Sequence, residues 1–361
     1  MTTNRTVITD PYDAAQWNLE SLRLRLAASA PTAAERVTGF QLERLGADNS
    51  KAFRVSLDYS APSPDGPRSL FLKLCSGGTF GRSEVEYYMK DYVRLEDAPL
   101  PRCYDAAYED GAYHLLLEDL SGTHRNRWDA APTILYGQAA GAALAKLHAH
   151  HWGTASADAT SADAAVGGMQ RYLDYMLQGH EPLMEALRGD ADAERRSFAE
   201  RIFNELPAAL LRRAADGAGF TLVHGDLNPG NILTCGEDAA MDVRFIDRQP
   251  FDWSLTHWLG ASDLAYLMGL WWEPELRRAY ELDVLRAYYE GLLKRGAAAD
   301  YSWDRLLRDY RLTLLQNVFV AASWCIDERE RRDMRWLWEA ELDRAAAAYR
   351  DLDGAALLSG E

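Results

Sequence analysis

Apolar and polar positions change their spacing several times along this chain, and each change predicts a different element. Residues 13 to 28 predict a leading helix. From Phe53 onward, Val55, Leu57 and Tyr59 alternate with Arg54, Ser56 and Asp58, the period of a half-buried strand. The stretch APSPDGP at 61 to 67 then turns the chain into RSLFLKL, which predicts a hairpin. On the second strand Leu70, Leu72 and Leu74 share one face, and Lys73 lies on the other with Phe71 and Cys75. Between Ser83 and Leu95, Val85, Tyr88, Met89 and Tyr92 have the spacing of an amphipathic helix. Glu84 and Glu86 flank its apolar stripe at similar angles, and Ser83-x-x-Glu86 also reads as a capping box. His114 to Glu118 predicts a buried strand that runs into the polar turn Asp119-Leu120-Ser121-Gly122.

Beyond that turn the period is helical. Residues 133 to 151 predict a helix rich in small residues, with Leu144, Leu147 and His148 on its later turns. Residues 154 to 165, rich in Ala, Ser, Thr and Asp, predict a mobile loop, and helices continue to about residue 215. Further helices are predicted near 260 to 271, 275 to 296, 303 to 325 and 330 to 351. Asp263 reads as an N-cap for a helix starting at Leu264. The order is that of an α+β protein: an N-terminal helical extension over 1–35, a small sheet lobe over 36–120 ending in a hinge, and a large helical lobe over 121–361. No internal repeat is evident.

Composition narrows the class. With 361 residues and 48% hydrophobic content the chain supports one large or two medium cores. Four cysteines, Cys75, Cys103, Cys235 and Cys325, form no C-x-x-C pair, which argues against a disulfide framework or structural zinc and implies a reducing compartment. The first residues hold no apolar core of signal-peptide length, and no stretch reaches about 18 uninterrupted apolar residues, so a cytoplasmic protein with no membrane partner is expected. A net charge of −16 argues against nucleic acid as a partner. It is weak evidence for a cationic substrate, because excess acidity also serves solubility. In the charge run 327 to 333, Glu328 and Arg332 fit an i,i+4 pair on a solvated helix face. His148, His150 and His151 sit at a helix C-terminus, where the dipole favours them, rather than at a metal.

One segment carries chemistry. His224-Gly225-Asp226-Leu227-Asn228-Pro229-Gly230-Asn231 precedes an apolar run, and Ile246-Asp247 follows 21 residues after Asp226. Phosphoryl transfer needs a carboxylate for the proton of the attacking hydroxyl, and an amide plus a second carboxylate for Mg²⁺ on the nucleotide phosphates. Asp226, Asn231 and Asp247 meet that spacing. A surface turn would also use Asp, Asn, Pro and Gly, but needs neither the His nor the Asp closing the next strand. A strand Lys followed by a helix Glu supplies the phosphate-anchoring ion pair, which casts Lys73 with Glu84, the favoured partner, or Glu86.

LVHGDLNPGNIL, followed by VRFIDRQ and SDLAYL, resembles the aminoglycoside phosphotransferase and choline kinase group of small-molecule kinases. IDRQPFDW with EVEYY and LHAHHWG is most similar to the branch that includes ecdysteroid-kinase-like proteins. The likeness runs from about residue 36 onward. It implies a protein-kinase-like fold with ATP and Mg²⁺ bound and a small-molecule hydroxyl as acceptor. It implies Asp226 as catalytic base, Asn231 and Asp247 as magnesium ligands, and Lys73 with Glu84 as the phosphate anchor. His224 and Asp263 match residues that support the loop, and the strand end at Glu118 and Leu120 offers backbone groups to the nucleotide base.

Two departures from the protein-kinase pattern are informative. Arg248-Gln249 stands where Phe-Gly would follow the metal Asp, and no A-P-E element follows, which argues against activation-loop control. The expected nucleotide loop, Leu45 to Lys51, has one Gly and no G-x-G-x-x-G, so Ser50 is expected to assist and either ATP or GTP fits. The helices between 166 and 215 and the segment Phe251 to Glu273 are expected to form the acceptor pocket, with Asp252, Trp253, His257 and Trp271 lining it. Carboxylates and aromatic faces there favour an antibiotic-like, amino-sugar or sugar-containing alcohol over choline-sized amines. Against this kinase reading stand a catalytically inactive ligand-binding relative and, disfavoured by the missing activation segment, a protein kinase.

Overall fold

The structure is a computed structural model that describes residues 18–46, 50–76, 81–153, 162–237, 240–249, 251 and 253–359. It divides into two compact units, residues 1–125 with 244–252, and residues 126–243 with 253–361. The chain therefore leaves the first unit at 125 and returns to it for nine residues, a return that no local sequence pattern announces.

The first unit is an antiparallel sheet with helices. α1 (Leu19–Leu26) starts on a capping box in which Asn18 accepts from the Ser21 N–H and the Ser21 side chain reaches back to the Asn18 backbone. α2 (Pro31–Arg36) opens on a proline at its first position, where the missing N–H costs nothing. Then come β1 (Val37–Leu45), β2 (Lys51–Tyr59), β3 (Ser69–Ser76), α3 (Ser83–Glu86), β4 (Cys103–Glu109) and β5 (Ala112–Glu118). The spatial order is β1-β2-β3-β5-β4, every neighbour antiparallel. Leu70, Leu72 and Leu74 are buried together with Leu22, Leu26, Phe53 and Val55, so the predicted apolar face of β3 meets the leading helices. A buried polar cluster fastens α1 to the sheet: Arg25 Nη1 lies 2.9 Å from Asp105 Oδ2, and His114 Nε2 lies 2.9 Å from the same oxygen.

The second unit is helical. α4 (Ile134–His150) is capped by the Thr133 side chain and followed by α5 (Ala162–Met176), α6 (His180–Ala186) and α7 (Ala193–Ala214). Short strands β6 (Phe220–Leu222), β7 (Ile232–Cys235), β8 (Asp242–Phe245) and β9 (His257–Leu259) carry the loops, the last two residues of β8 belonging to the first unit. β6 pairs with β9, and β7 with β8. α8 (Ala261–Trp271), α9 (Pro274–Lys294), α10 (Trp303–Ser323), α11 (Glu328–Asp333), α12 (Arg335–Asp351) and α13 (Gly354–Ser359) complete it. The small residues of α4 have a packing reason, since a Cβ on Gly137 would come within 2.5 Å of Val284 on α9. Met169, Leu173, Ile202, Leu206, Leu315, Phe319 and Leu342 join α5, α7, α10 and α12 in one core.

Several expectations need correction. The helix expected from Ser83 to Leu95 is one α turn followed by a π-helical turn, Tyr87–Asp91, closed by the Tyr92 N–H on the Tyr87 carbonyl. Ser83 does not cap it, because its hydroxyl donates to the Gln249 carbonyl at 2.6 Å. Residues 162 to 165 begin α5 rather than extending the preceding loop; the rest of that loop, 154–161, lies outside the described residues. α8 starts two residues before Asp263, which frees that carboxylate from capping. In the charge run the i,i+4 pair is Arg329–Asp333, one residue beyond the expected one, with Asp327 as the helix cap. No helix among the described residues is long and apolar enough to cross a membrane. All four cysteines are free.

Candidate active site

In the first unit the chemistry gathers on β3. Lys73 Nζ lies 2.9 Å from both carboxylate oxygens of Glu84 and 2.7 Å from Asp247 Oδ1. Glu84 is 1% exposed and also accepts the Tyr113 hydroxyl. Residues two apart on a helix point about 200° from each other, so only one of the two glutamates can face the sheet. Glu84 does, while the Glu86 carboxylate lies 3.9 Å from Lys90. Burial works against the Lys73 ammonium, yet the Glu84 and Asp247 carboxylates hold its pKa above the ordinary lysine value.

Asp247 reaches Lys73 across 174 residues because its segment is sewn onto the first unit. The Phe245 N–H donates to the Pro99 carbonyl, Arg244 donates to Ala98, and Arg248 pairs with Asp91 at 3.0 Å. Arg248, in the position after the metal Asp of kinases, is thus a buried anchor, and its guanidinium lies over the Tyr87 ring. Asp247 adopts φ = 57°, the left-handed region that a non-glycine residue occupies at a cost.

Of the nucleotide-contact expectations, Ser50 stands half-buried just before β2, and Ala47 to Asn49 lie outside the described residues. At the end of β5 the Glu118 N–H is taken by the Arg102 carbonyl, and the Glu118 carboxylate accepts the Arg102 N–H. The Leu120 carbonyl accepts from Thr123 and His124. The Leu120 N–H finds no acceptor among the described residues.

In the second unit the segment after β6 forms a hydrogen-bonded loop. Gly225, at φ = 80°, supplies the left-handed turn that aims the next residue. Asn228 caps the 3₁₀ turn Pro229–Asn231, its Oδ1 accepting from the N–H groups of Gly230 and Asn231. The Asp226 carboxylate accepts from Tyr266 at 2.8 Å, from Asn228 at 3.1 Å and from Asn231 at 3.1 Å. Asn231 Nδ2 also donates to the Asp226 carbonyl, which leaves Asn231 Oδ1 without a donor among the described residues.

α8 is the template for this loop. Asp263 is 1% exposed and accepts the backbone N–H groups of His224 at 2.7 Å and Gly225 at 2.9 Å. Burial alone would raise its pKa, but the interactions with His148 and His224 and the Gly225 N–H hold it below the ordinary carboxylate value. His148 Nε2 lies 3.2 Å from Asp263, and its Nδ1 meets the Tyr288 hydroxyl. Buried His224 accepts the Asp226 N–H on its Nδ1. Sequence reasoning missed Tyr266, Asn228, His148 and Tyr113. Tyr266 had a signal, since its i,i+3 relation to Asp263 puts both on one helix face; Tyr113 had none.

No contact among the described residues gathers the acceptor-pocket residues in one place. Trp253 stacks on Tyr175 with ring centroids 4.1 Å apart, and Trp271 leans on half-exposed Trp128 at 4.9 Å. His257 pairs with Leu222 in the β6–β9 ladder, its ring edge-on to Phe220. Asp252 lies outside the described residues. Trp258 and Trp272 are core, and Glu273 is ion-paired to Arg344 at 2.6 Å.

No group of three or more His, Cys, Asp or Glu residues that could hold a metal ion occurs among the described residues. The donors that remain, the Asn231 amide oxygen and the half-exposed Asp247 carboxylate, are hard oxygens. They suit Mg²⁺, which takes few protein ligands and completes its shell with water and phosphate.

The fold is α+β, and the chain is a phosphotransferase enzyme. Residues 44–307 match the model of the phosphotransferase enzyme family, and the chain belongs to that family. Among solved structures it is similar to an aminoglycoside phosphotransferase of Streptomyces rimosus in complex with ADP and streptomycin (19% identity, 85% of this chain and 98% of that one, TM-score 0.44). It is also similar to a microcompartment-associated aminopropanol kinase (16%, 92% and 98%, 0.49) and to a macrolide 2'-phosphotransferase of Brachybacterium faecium (18%, 90% and 97%, 0.41). No curated protein matches the chain significantly.

Proposed function

We propose that the chain transfers the γ-phosphoryl group of ATP, or of GTP, to a hydroxyl group of a small molecule. Asp226 takes the proton as the acceptor oxygen attacks the γ-phosphorus and the bond to the β–γ bridging oxygen breaks. The observation that carries this reading is the Asp226 carboxylate itself, held by Tyr266, Asn228 and Asn231 on a loop whose backbone is pinned by buried Asp263. A base held this firmly loses little orientation on binding substrate.

Lys73, kept charged and aimed by Glu84, is the anchor for the α- and β-phosphates. Asn231 and Asp247 would hold Mg²⁺, which when bound offsets phosphate charge. The open Leu120 N–H and the Glu118 strand end would meet the edge of the nucleotide base, with Ser50 near the phosphates. For the acceptor, the half-buried faces of Trp253 and Trp271 favour a ring-bearing alcohol of the sugar or antibiotic type.

The test is incubation with ATP, Mg²⁺ and a panel of hydroxylated metabolites and antibiotics, read as a mass gain of one phosphoryl group, beside a generic protein substrate. Phosphorylation of a small alcohol that Asp226→Asn lowers by about 10²- to 10⁴-fold is expected. Near-wild-type turnover in that variant, or transfer to the protein substrate alone, overturns the proposal.

A further inference from the structure

Glu84 is aimed by a helical segment too short to hold its own shape. α3 and the π turn after it run only from Ser83 to Asp91, and a helix of that length is marginal in water without tertiary support. No side chain caps its first turn. The junction of an α turn with a π turn also leaves the rotation about the axis open, since the two wind by different angles per residue. Yet both carboxylate oxygens of Glu84 lie 2.9 Å from Lys73 Nζ. Something outside the segment fixes it.

The residues from Asp247 to Gln249 do so. Arg248 Nη1 lies 3.0 Å from Asp91 Oδ2 and 3.4 Å from the Ser83 carbonyl, so one nitrogen engages the last residue of the segment and the first. Its guanidinium carbon is 5.1 Å from the centre of the Tyr87 ring, which stands midway between them in the chain. The Gln249 carbonyl accepts the Ser83 hydroxyl at 2.6 Å. Two ion pairs, Lys73–Glu84 and Asp91–Arg248, are thereby closed into a ring by the peptide bond from Asp247 to Arg248 and by the 2.7 Å contact of Asp247 with Lys73. Arg248 is 2% exposed, and burying it costs free energy that an apolar side chain filling the same space would not. What a planar guanidinium adds is direction, because its N–H groups and its face fix both the distance and the rotation of what they hold.

We propose that Arg248 is a positioning residue for the phosphate anchor: by holding both ends of the segment that carries Glu84, it sets Lys73 and Asp247 in their nucleotide-binding arrangement before nucleotide arrives. This rests on the phosphotransfer reading. Arg248 touches no nucleotide in this role and acts through Glu84 and Asp247. The left-handed backbone of Asp247, at φ = 57°, belongs to the same arrangement. A residue stays in that conformation when its surroundings over-determine it, and here the chain is tied down on both sides, Phe245 to the Pro99 carbonyl and Arg248 to Asp91. The segment that aims Glu84 and the segment that carries Asp247 therefore move together, and the anchor needs no separate event to bring Glu84 to Lys73.

The experiment compares wild type with Arg248→Gln, Glu84→Gln and the double variant of the two. Arg213→Gln is the control, because Arg213 forms a comparable ion pair, with Asp309 at 2.7 Å, in the second unit. Calorimetry measures binding of the non-hydrolysable analogues of ATP and GTP with Mg²⁺, amide hydrogen exchange is followed across residues 83 to 92 in the nucleotide-free protein, and turnover is measured with the best acceptor. Arg248→Gln should weaken binding of the better analogue by about tenfold or more. It should speed exchange across the segment by about tenfold, and raise the KM for nucleotide while the acceptor KM stays within about twofold. In the double variant the loss of affinity should fall short of the product of the two single losses by at least about fivefold, because both substitutions act through one contact. Arg213→Gln should lower the Tm and leave binding and exchange as in wild type. The proposal is overturned if Arg248→Gln binds the analogues as wild type does, if the two losses simply multiply, or if Arg213→Gln loses as much affinity. Should Arg248→Gln fail to fold, Asp91→Asn, alone and combined with Glu84→Gln, decides by the same criteria. Analogue binding by a wild-type protein that phosphorylates no alcohol would sink the phosphotransfer reading and leave the binding cycle to decide on Arg248, whereas a wild-type protein that binds neither analogue overturns both.

Discussion

Tyr266→Phe isolates a single hydrogen bond to the proposed base. The ring and its place on α8 are retained, and only the hydroxyl 2.8 Å from Asp226 Oδ1 is lost. That bond is shorter than those from Asn228 and Asn231, both 3.1 Å, so it is the strongest of the three. Hydrogen bonds to charged groups contribute about 1.5–3 kcal/mol. Because the two asparagines continue to hold the carboxylate, the lower part of that range applies, about 1.5–2 kcal/mol. If the loss falls on aiming the base, kcat should drop by roughly 10- to 30-fold. Steady-state kinetics with the best acceptor from the panel should show that drop, with the KM for ATP within about twofold of wild type. A kcat within twofold of wild type, or a loss confined to the ATP KM, would refute the assignment of Tyr266 as the residue that aims Asp226.

Other expectations follow from the same geometry. Glu84→Gln should lower turnover and raise the KM for ATP, and Tyr113→Phe should do the same more weakly. Glu86→Gln should leave kinetics and stability unchanged within about 0.5 kcal/mol, because it forms no cap and its contact with Lys90 is exposed; a kinetic effect at Glu86 would reassign the pair. Asp247→Ala should remove Mg²⁺-dependent ATP binding in titration calorimetry, whereas unchanged affinity would move the metal ligand elsewhere. Asp263 has a folded pKa below its unfolded value, so its contribution to stability is present above about pH 4 and is lost as pH falls through the folded value. Asp263→Asn should therefore lower the Tm at pH 7, with the gap to wild type closing below pH 4; a gap independent of pH would show that charge plays no part.

Much of the site was legible along the chain. Asp226 and Asn231 are five residues apart on one loop, so their spacing alone placed them together, and the register of β3 put Lys73 on the face opposite Leu70, Leu72 and Leu74. The choice between Glu84 and Glu86 was not legible. Hydrophobic periodicity gives the direction of a stripe but not the rotation of a single helical turn that gives way to a π turn after Glu86. Sequence likewise shows that Asp263 and Glu273 exist, not that backbone amides and Arg344 already occupy them.

The sequence by itself determined the alternation that makes the sheet, the helical period of the second unit and the local loop that carries Asp226, because each depends on residues a few positions apart. Only the tertiary structure decided that Asp247 meets Lys73 across 174 residues and that Tyr113 shares Glu84. Those outcomes depend on which side chains compete for one buried group once the elements have packed. Burial removes water as the alternative partner, and it does so according to positions in space that carry no mark in the spacing of the chain.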